Sequence, residues 1–136
     1  MSAESRASPL GGGDLVLIVE DNEQNLKLAR DLLRFHGFAT IEATNAEEGL
    51  LLARQRGPRV VLMDIQLPGM DGVRALEELR TDGATSAIPV VAMTASVMKE
   101  ERERFDRAGF DGFITKPIDV KRFPGQVREA MDRRRA

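Results

Sequence analysis

Three carboxylates, a hydroxyl and an ammonium stand out because each closes a short apolar run. Glu20 and Asp21 follow Leu15 to Val19, Asp64 follows Val60 to Met63, Thr94 follows Val90 to Met93, and Lys116 follows Gly112 to Thr115. Singly, each has a plain explanation, since polar residues belong where strands meet water. Jointly they describe a site. Three neighbouring carboxylates repel, which raises the pKa of at least one unless a cation compensates. The chain has no Cys and a single His, His36. Its hard oxygen ligands therefore select Mg²⁺, or Mn²⁺ in its place, over zinc or copper, and a Mg²⁺ bound by one or two carboxylates keeps waters that a phosphoryl group can replace. Lys116 adds a mobile positive charge and Thr94 a donor. A carboxylate nucleophile, a divalent cation and a lysine together describe phosphoryl transfer to Asp, in which the protein supplies positioning and charge neutralisation. Asp64 is the expected acceptor because it stands alone, whereas the adjacent Glu20 and Asp21 are the natural pair for holding metal.

These positions converge only if the elements that carry them are parallel. Strands are expected at Leu15 to Glu20, Phe38 to Ala43, Arg59 to Asp64, Pro89 to Thr94 and Gly112 to Lys116, the middle three of this list reading as buried on both faces. Between them lie helix-period segments with punctuation. Asp21 or Asn22 can cap a helix carrying Leu26, Ala29 and Leu33 beside Leu28, Leu32 and Phe35, ending at His36-Gly37. Asn45 with Glu48 forms a capping-box pattern before a second helix that Gly57-Pro58 closes. Val73, Leu76 and Leu79 mark a third, and Ser96 can cap a fourth that ends before Gly109. A fifth runs from about Asp119 or Phe123 toward Arg133. Helical crossovers return the chain to start each strand from the same edge, so the strands are parallel and their C-terminal ends share one pole. That pole is where open α/β sheets bind ligands. After Asp64, Leu67-Pro68-Gly69-Met70 supplies a Pro-Gly turn that bends the chain over it.

Composition narrows the function classes. The 136 residues suit one domain, and 42% hydrophobic with 31% charged residues excludes a disordered chain. Twenty Lys and Arg against 22 Asp and Glu leave a net charge of −2, which offers no basic field for direct nucleic acid binding. No apolar run approaches a membrane span, and no signal-peptide segment opens the chain, so a cytoplasmic protein without membrane insertion is expected. Residues 1–13, ending in Gly11-Gly12-Gly13, read as a flexible N-terminal tail ahead of a domain over 14–136. Lys121 to Ala136 holds six basic residues against two acidic, the composition of a solvated helix C-terminus.

In order and without large gaps, Ile18-Val19-Glu20-Asp21-Asn22, Leu62-Met63-Asp64-Ile65-Gln66-Leu67-Pro68-Gly69-Met70-Asp71-Gly72, Pro89-Val90-Val91-Ala92-Met93-Thr94-Ala95 and Lys116-Pro117 resemble the receiver domain of two-component response regulators. The resemblance covers roughly Leu15 to Met131, and the local wording is closest to single-domain receivers of the DivK type and to receivers of hybrid kinases. It implies a doubly wound five-stranded parallel sheet, order 2-1-3-4-5, with five helices. It implies that Asp64 takes phosphate from a histidine kinase or a phosphotransfer protein, and that Asp21, Asp64 and the main-chain carbonyl of Gln66 ligate Mg²⁺ with Glu20 acting through water. It further implies that Thr94 and Lys116 bind the phosphoryl oxygens, that Lys116-Pro117 is cis, and that Phe113 is the aromatic switch residue paired with Thr94. Such a protein is a phosphoacceptor rather than an enzyme, assisting its own phosphorylation and dephosphorylation, with Gln66 and Ser96 flanking the hydrolytic water. Glu20, where two Asp are commonest, and Pro124-Gly125 in the last helix depart from the family pattern.

Two other readings are weaker. A Mg²⁺-dependent phosphohydrolase of the haloacid dehalogenase kind needs a second Asp two residues past the nucleophile, where Gln66 stands. A flavin or dinucleotide module needs a Gly-rich loop after the first strand, where Glu20-Asp21-Asn22-Glu23 stands. The start Met1-Ser2-Ala3 and the basic terminus are those expected of a complete single-domain regulator that passes phosphate on or binds a downstream target protein. A receiver fragment of a larger hybrid kinase is the alternative. The fourth helix, fifth strand and fifth helix form the expected output face.

Overall fold

Short runs of Val, Ile and Leu alternate with capped amphipathic segments along the computed structural model, which describes residues 13–67, 69–95 and 98–133. The elements are β1 (Leu15–Val19), α1 (Glu23–Phe35), β2 (Ala39–Ala43), α2 (Ala46–Arg56), β3 (Val60–Asp64), α3 (Gly72–Thr81), β4 (Val90–Thr94), α4 (Lys99–Ala108), β5 (Gly112–Thr115) and α5 (Phe123–Met131). All strand pairs are parallel, in the order β2-β1-β3-β4-β5. The side-chain alternation of a strand divides the core into two layers. Val16, Ile18, Leu62 and Met93 pack with Leu26, Ala29 and Leu33 of α1 and with Phe123 and Val127 of α5. Leu17, Val19, Val61 and Ala92 pack with α2, α3 and α4 through Ala53, Leu76, Leu79 and Phe105.

Two expectations change. β2 is an edge strand and is only half buried along Ala39 to Glu42, whereas β1 is the third strand covered on both faces, beside β3 and β4. On α1, Leu26, Ala29 and Leu33 are buried and Leu32 packs at the edge of that layer, but Leu28 is exposed and Phe35 is 84% exposed, so most of the second apolar stripe faces away from the sheet. The last helix begins at Phe123, which puts Pro124 in its first turn, where a missing N–H costs no helical bond. The caps largely follow the sequence. Asn22 accepts from Asn25 N at 2.9 Å, and Asn45 accepts from Glu48 N at 2.8 Å. Met98 occupies the N-cap of α4. Ser96, the expected cap of the fourth helix and flank of the hydrolytic water, and Pro68 of the expected turn lie outside the described residues, as do residues 1–12 and 134–136.

At the pole where the strands begin, Arg80 ties three segments together. Its guanidinium donates to Ile88 O at 2.8 Å and to Asp111 Oδ2 at 2.8 Å, and Asp111 Oδ2 also accepts from Val90 N at 2.8 Å. The pair is mostly buried, with side chains 19% and 11% exposed. Removing the cation strands a carboxylate, so Arg80→Met should lower stability by about 2 to 4 kcal/mol. Urea denaturation checks this; a loss within the scatter of ordinary surface substitutions would show that the network carries no weight.

Candidate functional site

The register sets the acidic residues side by side. Val19 of β1 lies opposite Met63 of β3, so the residues that follow, Glu20 and Asp64, emerge together at the C-terminal pole. Asp64 in turn lies opposite Met93 of β4, next to Thr94. Glu20 is 1% exposed, Asp64 4% and Thr94 7%, while Asp21 faces solvent. One oxygen from each of Glu20, Asp21 and Asp64 can be chosen so that all three lie within 4.8 Å of one another.

Lys116 supplies the counter-charge. Its Nζ lies 3.0 Å from Glu20 Oε1 and 3.0 Å from Asp64 Oδ2. It reaches them because its main-chain N–H donates to Thr94 O at 2.8 Å, which seats the end of β5 against the end of β4, and the Lys116–Pro117 peptide is cis. Two main-chain donors fix the carboxylates from behind. Asn22 N donates to Glu20 Oε2 at 3.1 Å and Gln66 N to Asp64 Oδ1 at 2.9 Å. Gly72 allows the start of α3 to close on the same strand end, since a Cβ there would sit 3.1 Å from Asp64 O and 3.0 Å from Ile65 Cδ1.

Burial, and next the neighbouring Asp64 carboxyl, pushes the Glu20 carboxyl above its ordinary range, which Lys116 only partly offsets. Burial alone would lower the Lys116 ammonium, but its pairing with the Glu20 and Asp64 carboxylates outweighs this and raises it. Glu20 Oε1 is buried and, although near Lys116 Nζ, accepts no aligned hydrogen bond from a described residue. An unsatisfied buried carboxylate oxygen beside two more carboxylates is a donor set that fits a hard divalent cation.

Thus the structure brings together Glu20, Asp21, Asp64, Thr94 and Lys116, with Gln66 two residues beyond Asp64. Phe113 stands apart from the acidic cluster. Its half-buried ring packs toward α4, 6.1 Å from the Phe105 ring, with the Arg102 guanidinium 5.9 Å from its centroid. A cavity of about 270 Å³ separates it from the site end, lined by Thr94, Arg102, Phe113, Arg122 and Gln126 among others. Sequence reasoning missed Asn22 as a donor to Glu20, and it missed Arg122 and Gln126 as cavity walls. The first follows an acidic pair directly and could have been found; the other two depend on where α5 docks.

The model of the response regulator receiver domain matches residues 16–128. Among curated proteins, the polar-differentiation response regulator DivK of Brucella anthropi is 47% identical over 108 residues, covering 79% of this chain and 88% of that protein. DivK of Brucella ovis is 46% identical over the same shares. Among solved structures, the receiver domain of a sensor histidine kinase from Pseudomonas aeruginosa, which has a magnesium ion coordinated in its active site cleft, is 26% identical with a TM-score of 0.80, covering 88% of this chain and 98% of that one. A CheY-like receiver domain protein from Methanospirillum hungatei is 27% identical with a TM-score of 0.78, covering 88% and 94%. Sequence, strand order and the placement of acidic strand ends agree, and the chain belongs to the receiver domain family of two-component response regulators.

Proposed function

We propose that Asp64 accepts a phosphoryl group from the phosphohistidine of a histidine kinase or phosphotransfer protein, and that the domain over 14–136, preceded by residues 1–13 as a tail, works in the cytoplasm as a switch. The observation that carries this reading is Lys116 Nζ set 3.0 Å from both Glu20 and Asp64 within a buried three-carboxylate cluster. In the transfer, an Asp64 carboxylate oxygen attacks phosphorus as the P–N bond breaks, and the departing imidazole keeps the electron pair and takes a proton. Asp21, Asp64 and the Gln66 carbonyl would hold Mg²⁺ or Mn²⁺, with Glu20 acting through water. When bound there the ion neutralises charge on the phosphoryl oxygens. Lys116, released from its bridge, pairs with one of those oxygens, and Thr94 donates to another. Gln66 at the mouth controls the approach of the hydrolytic water, so the protein assists both its phosphorylation and its dephosphorylation without turning over an external substrate.

The test is incubation with acetyl phosphate followed by peptide mapping. One phosphoryl increment is expected, on the Asp64 peptide, lost on adding a chelator and restored by Mg²⁺ or Mn²⁺. Labelling elsewhere, or labelling that survives the chelator, would refute the assignment.

The switch follows from the new charge, roughly 1.5 to 2 negative units with added acceptor oxygens. Thr94 moves toward it and the Phe113 ring turns into the space beside Thr94. A charge-assisted hydrogen bond of about 1.5 to 3 kcal/mol shifts a two-state population by about tenfold to a hundredfold. Thr94→Ala should still be labelled while losing most of the phosphate-dependent gain in partner affinity, as measured by titrating partner into labelled and unlabelled protein. An undiminished gain would remove Thr94 from the coupling. The face read by a downstream protein is α4, β5 and α5, which carries Met98 and the exposed run Lys99 to Arg104.

A further inference from the structure

β2 ends the sheet order, so one of its edges has no strand beside it. Ala39 N donates to Asp14 O and Glu20 N to Ala43 O, so Ala39, Ile41 and Ala43 bond toward β1. The alternation of a strand then turns the main-chain N–H and C=O groups of Thr40 and Glu42 to the open side. Side chains that would obstruct this edge are drawn onto α1 instead. Arg34 Nε donates to Thr40 Oγ1 at 2.8 Å, and Arg30 pairs with Glu42 at 3.2 Å. On the other face Ile41 and Leu52 are half-buried against the layer under α2. Arg54 turns to Asp82 at the end of α3, so Leu52, two residues away and on nearly the opposite side of α2, faces the open edge of β2. Glu48 and Arg56 each stand one turn from Leu52 on that side, and both are exposed. Arg34 and Arg56 have no carboxylate in ion-pair range among the described residues.

We propose that this edge takes a second copy of the chain, the two β2 strands pairing antiparallel about a two-fold axis at Ile41 so that two sheets become one. The edge is complementary to itself in one register. Setting Thr40 against the partner's Glu42 uses both outward N–H and both outward C=O groups of each copy. Sliding by two residues would call on Phe38 N or Thr44 N, which already donate to Leu33 O and Glu48 Oε1. In the matched register Ile41 meets the partner's Ile41 as a close pair. Arg34 reaches the partner's Glu42, a carboxylate then held between that guanidinium and the Arg30 of its own chain. On the α2 face Leu52 meets the partner's Leu52, and Glu48 meets the partner's Arg56, because the two stand equally far on either side of Leu52. Lys27 and Asp31 stay paired within each copy. The axis stands perpendicular to the sheet, so the two carboxylate poles point in opposite directions and both stay open. The contact is narrow, which makes association reversible. The inference depends on the β2 edge and not on phosphate chemistry.

Sedimentation equilibrium of the full chain, from about 10 µM to about 1 mM, should show a monomer and dimer in exchange. Over the same range hydrogen exchange at the Thr40 and Glu42 amides should slow as dimer forms, while the Ala39 and Ile41 amides, already bonded to β1, stay as they are. Arg34→Glu and Arg56→Glu, both at exposed positions, should each weaken dimerisation by about tenfold or more. Adding Glu48→Lys to Arg56→Glu restores opposite charges and should recover the dimer, with urea midpoints checking that each variant is folded. A chain still monomeric at the highest concentration, a dimer that leaves Thr40 and Glu42 exchange unchanged, or one indifferent to Arg34→Glu or Arg56→Glu would overturn the proposal. Asp64→Asn should dimerise as the wild type does, so a failed phosphoacceptor assignment would not disturb this result, and loss of the dimer in that variant would count against the β2 edge.

Discussion

Asp64→Asn is expected to take up no phosphoryl group from acetyl phosphate or from a cognate kinase, a fall of roughly three orders of magnitude or more. The amide keeps the shape of the carboxyl and its place at the end of β3, and it can still accept from Gln66 N, so the fold should persist. What disappears is the anionic oxygen that attacks phosphorus. Asp21→Ala leaves the nucleophile in place but removes the exposed member of the cluster, and its labelling rate should drop by about tenfold to a hundredfold, the range for lost support of a metal. Initial rates of radiolabel incorporation separate the two cases. Full labelling of Asp64→Asn would mean that another residue is the acceptor, and a normal rate for Asp21→Ala would take it out of the ion's coordination.

The second large effect is on stability. The Glu20 carboxyl sits above its ordinary range because it is buried next to Asp64, so the folded protein holds its proton more tightly than the unfolded chain does. The sign follows: the contribution of Glu20 to stability is fully present below its unfolded pKa of about 4.3 and is lost as the pH rises through the raised folded value. Without divalent ion at neutral pH the ionised Glu20 therefore works against the fold, while its pairing with Lys116 offsets part of that cost. Glu20→Gln, which keeps an acceptor for Asn22 N, should stabilise the ion-free protein by about 1 kcal/mol or more. Mg²⁺ at a hundredfold its Kd should stabilise the wild type by about 2.7 kcal/mol and Glu20→Gln by less. Urea midpoints with and without Mg²⁺, at neutral and mildly acid pH, test all three statements. A destabilised Glu20→Gln in chelator, or a wild-type midpoint indifferent to Mg²⁺, would show that the carboxylates are already compensated.

The acidic strand ends were legible because both the run and its closing residue are local. Val60 to Met63 is visible as a buried strand, and the first charged residue after it has to sit at the pole. The half-burial of β2 was legible but missed, since Thr40 and Glu42 alternate with apolar residues between Phe38 and Ala43, unlike the continuous runs Val60 to Met63 and Val90 to Met93. Periodicity placed Leu28 and Phe35 on a helix but could not say which of two apolar stripes would face the sheet. Phe113 was readable by position, whereas its contact with Arg102 depends on the packing of α4, an element whose sequence otherwise reads as solvated charge. Pro124 looked disruptive until the helix start fell one residue before it.

Both ends of the described chain leave from the pole where the strands begin. Asp14 binds Arg59 at 2.8 Å and Arg128 at 3.1 Å, and Arg133 donates to Asp111 O at 2.5 Å, so the first and last described segments are anchored beneath the sheet while the carboxylates lie above it. A fluorophore or surface tether attached beside Asp14 or Arg133 would accordingly stand a full strand's length from the approaching phosphodonor, and protein immobilised there should accept phosphate as readily as protein in solution.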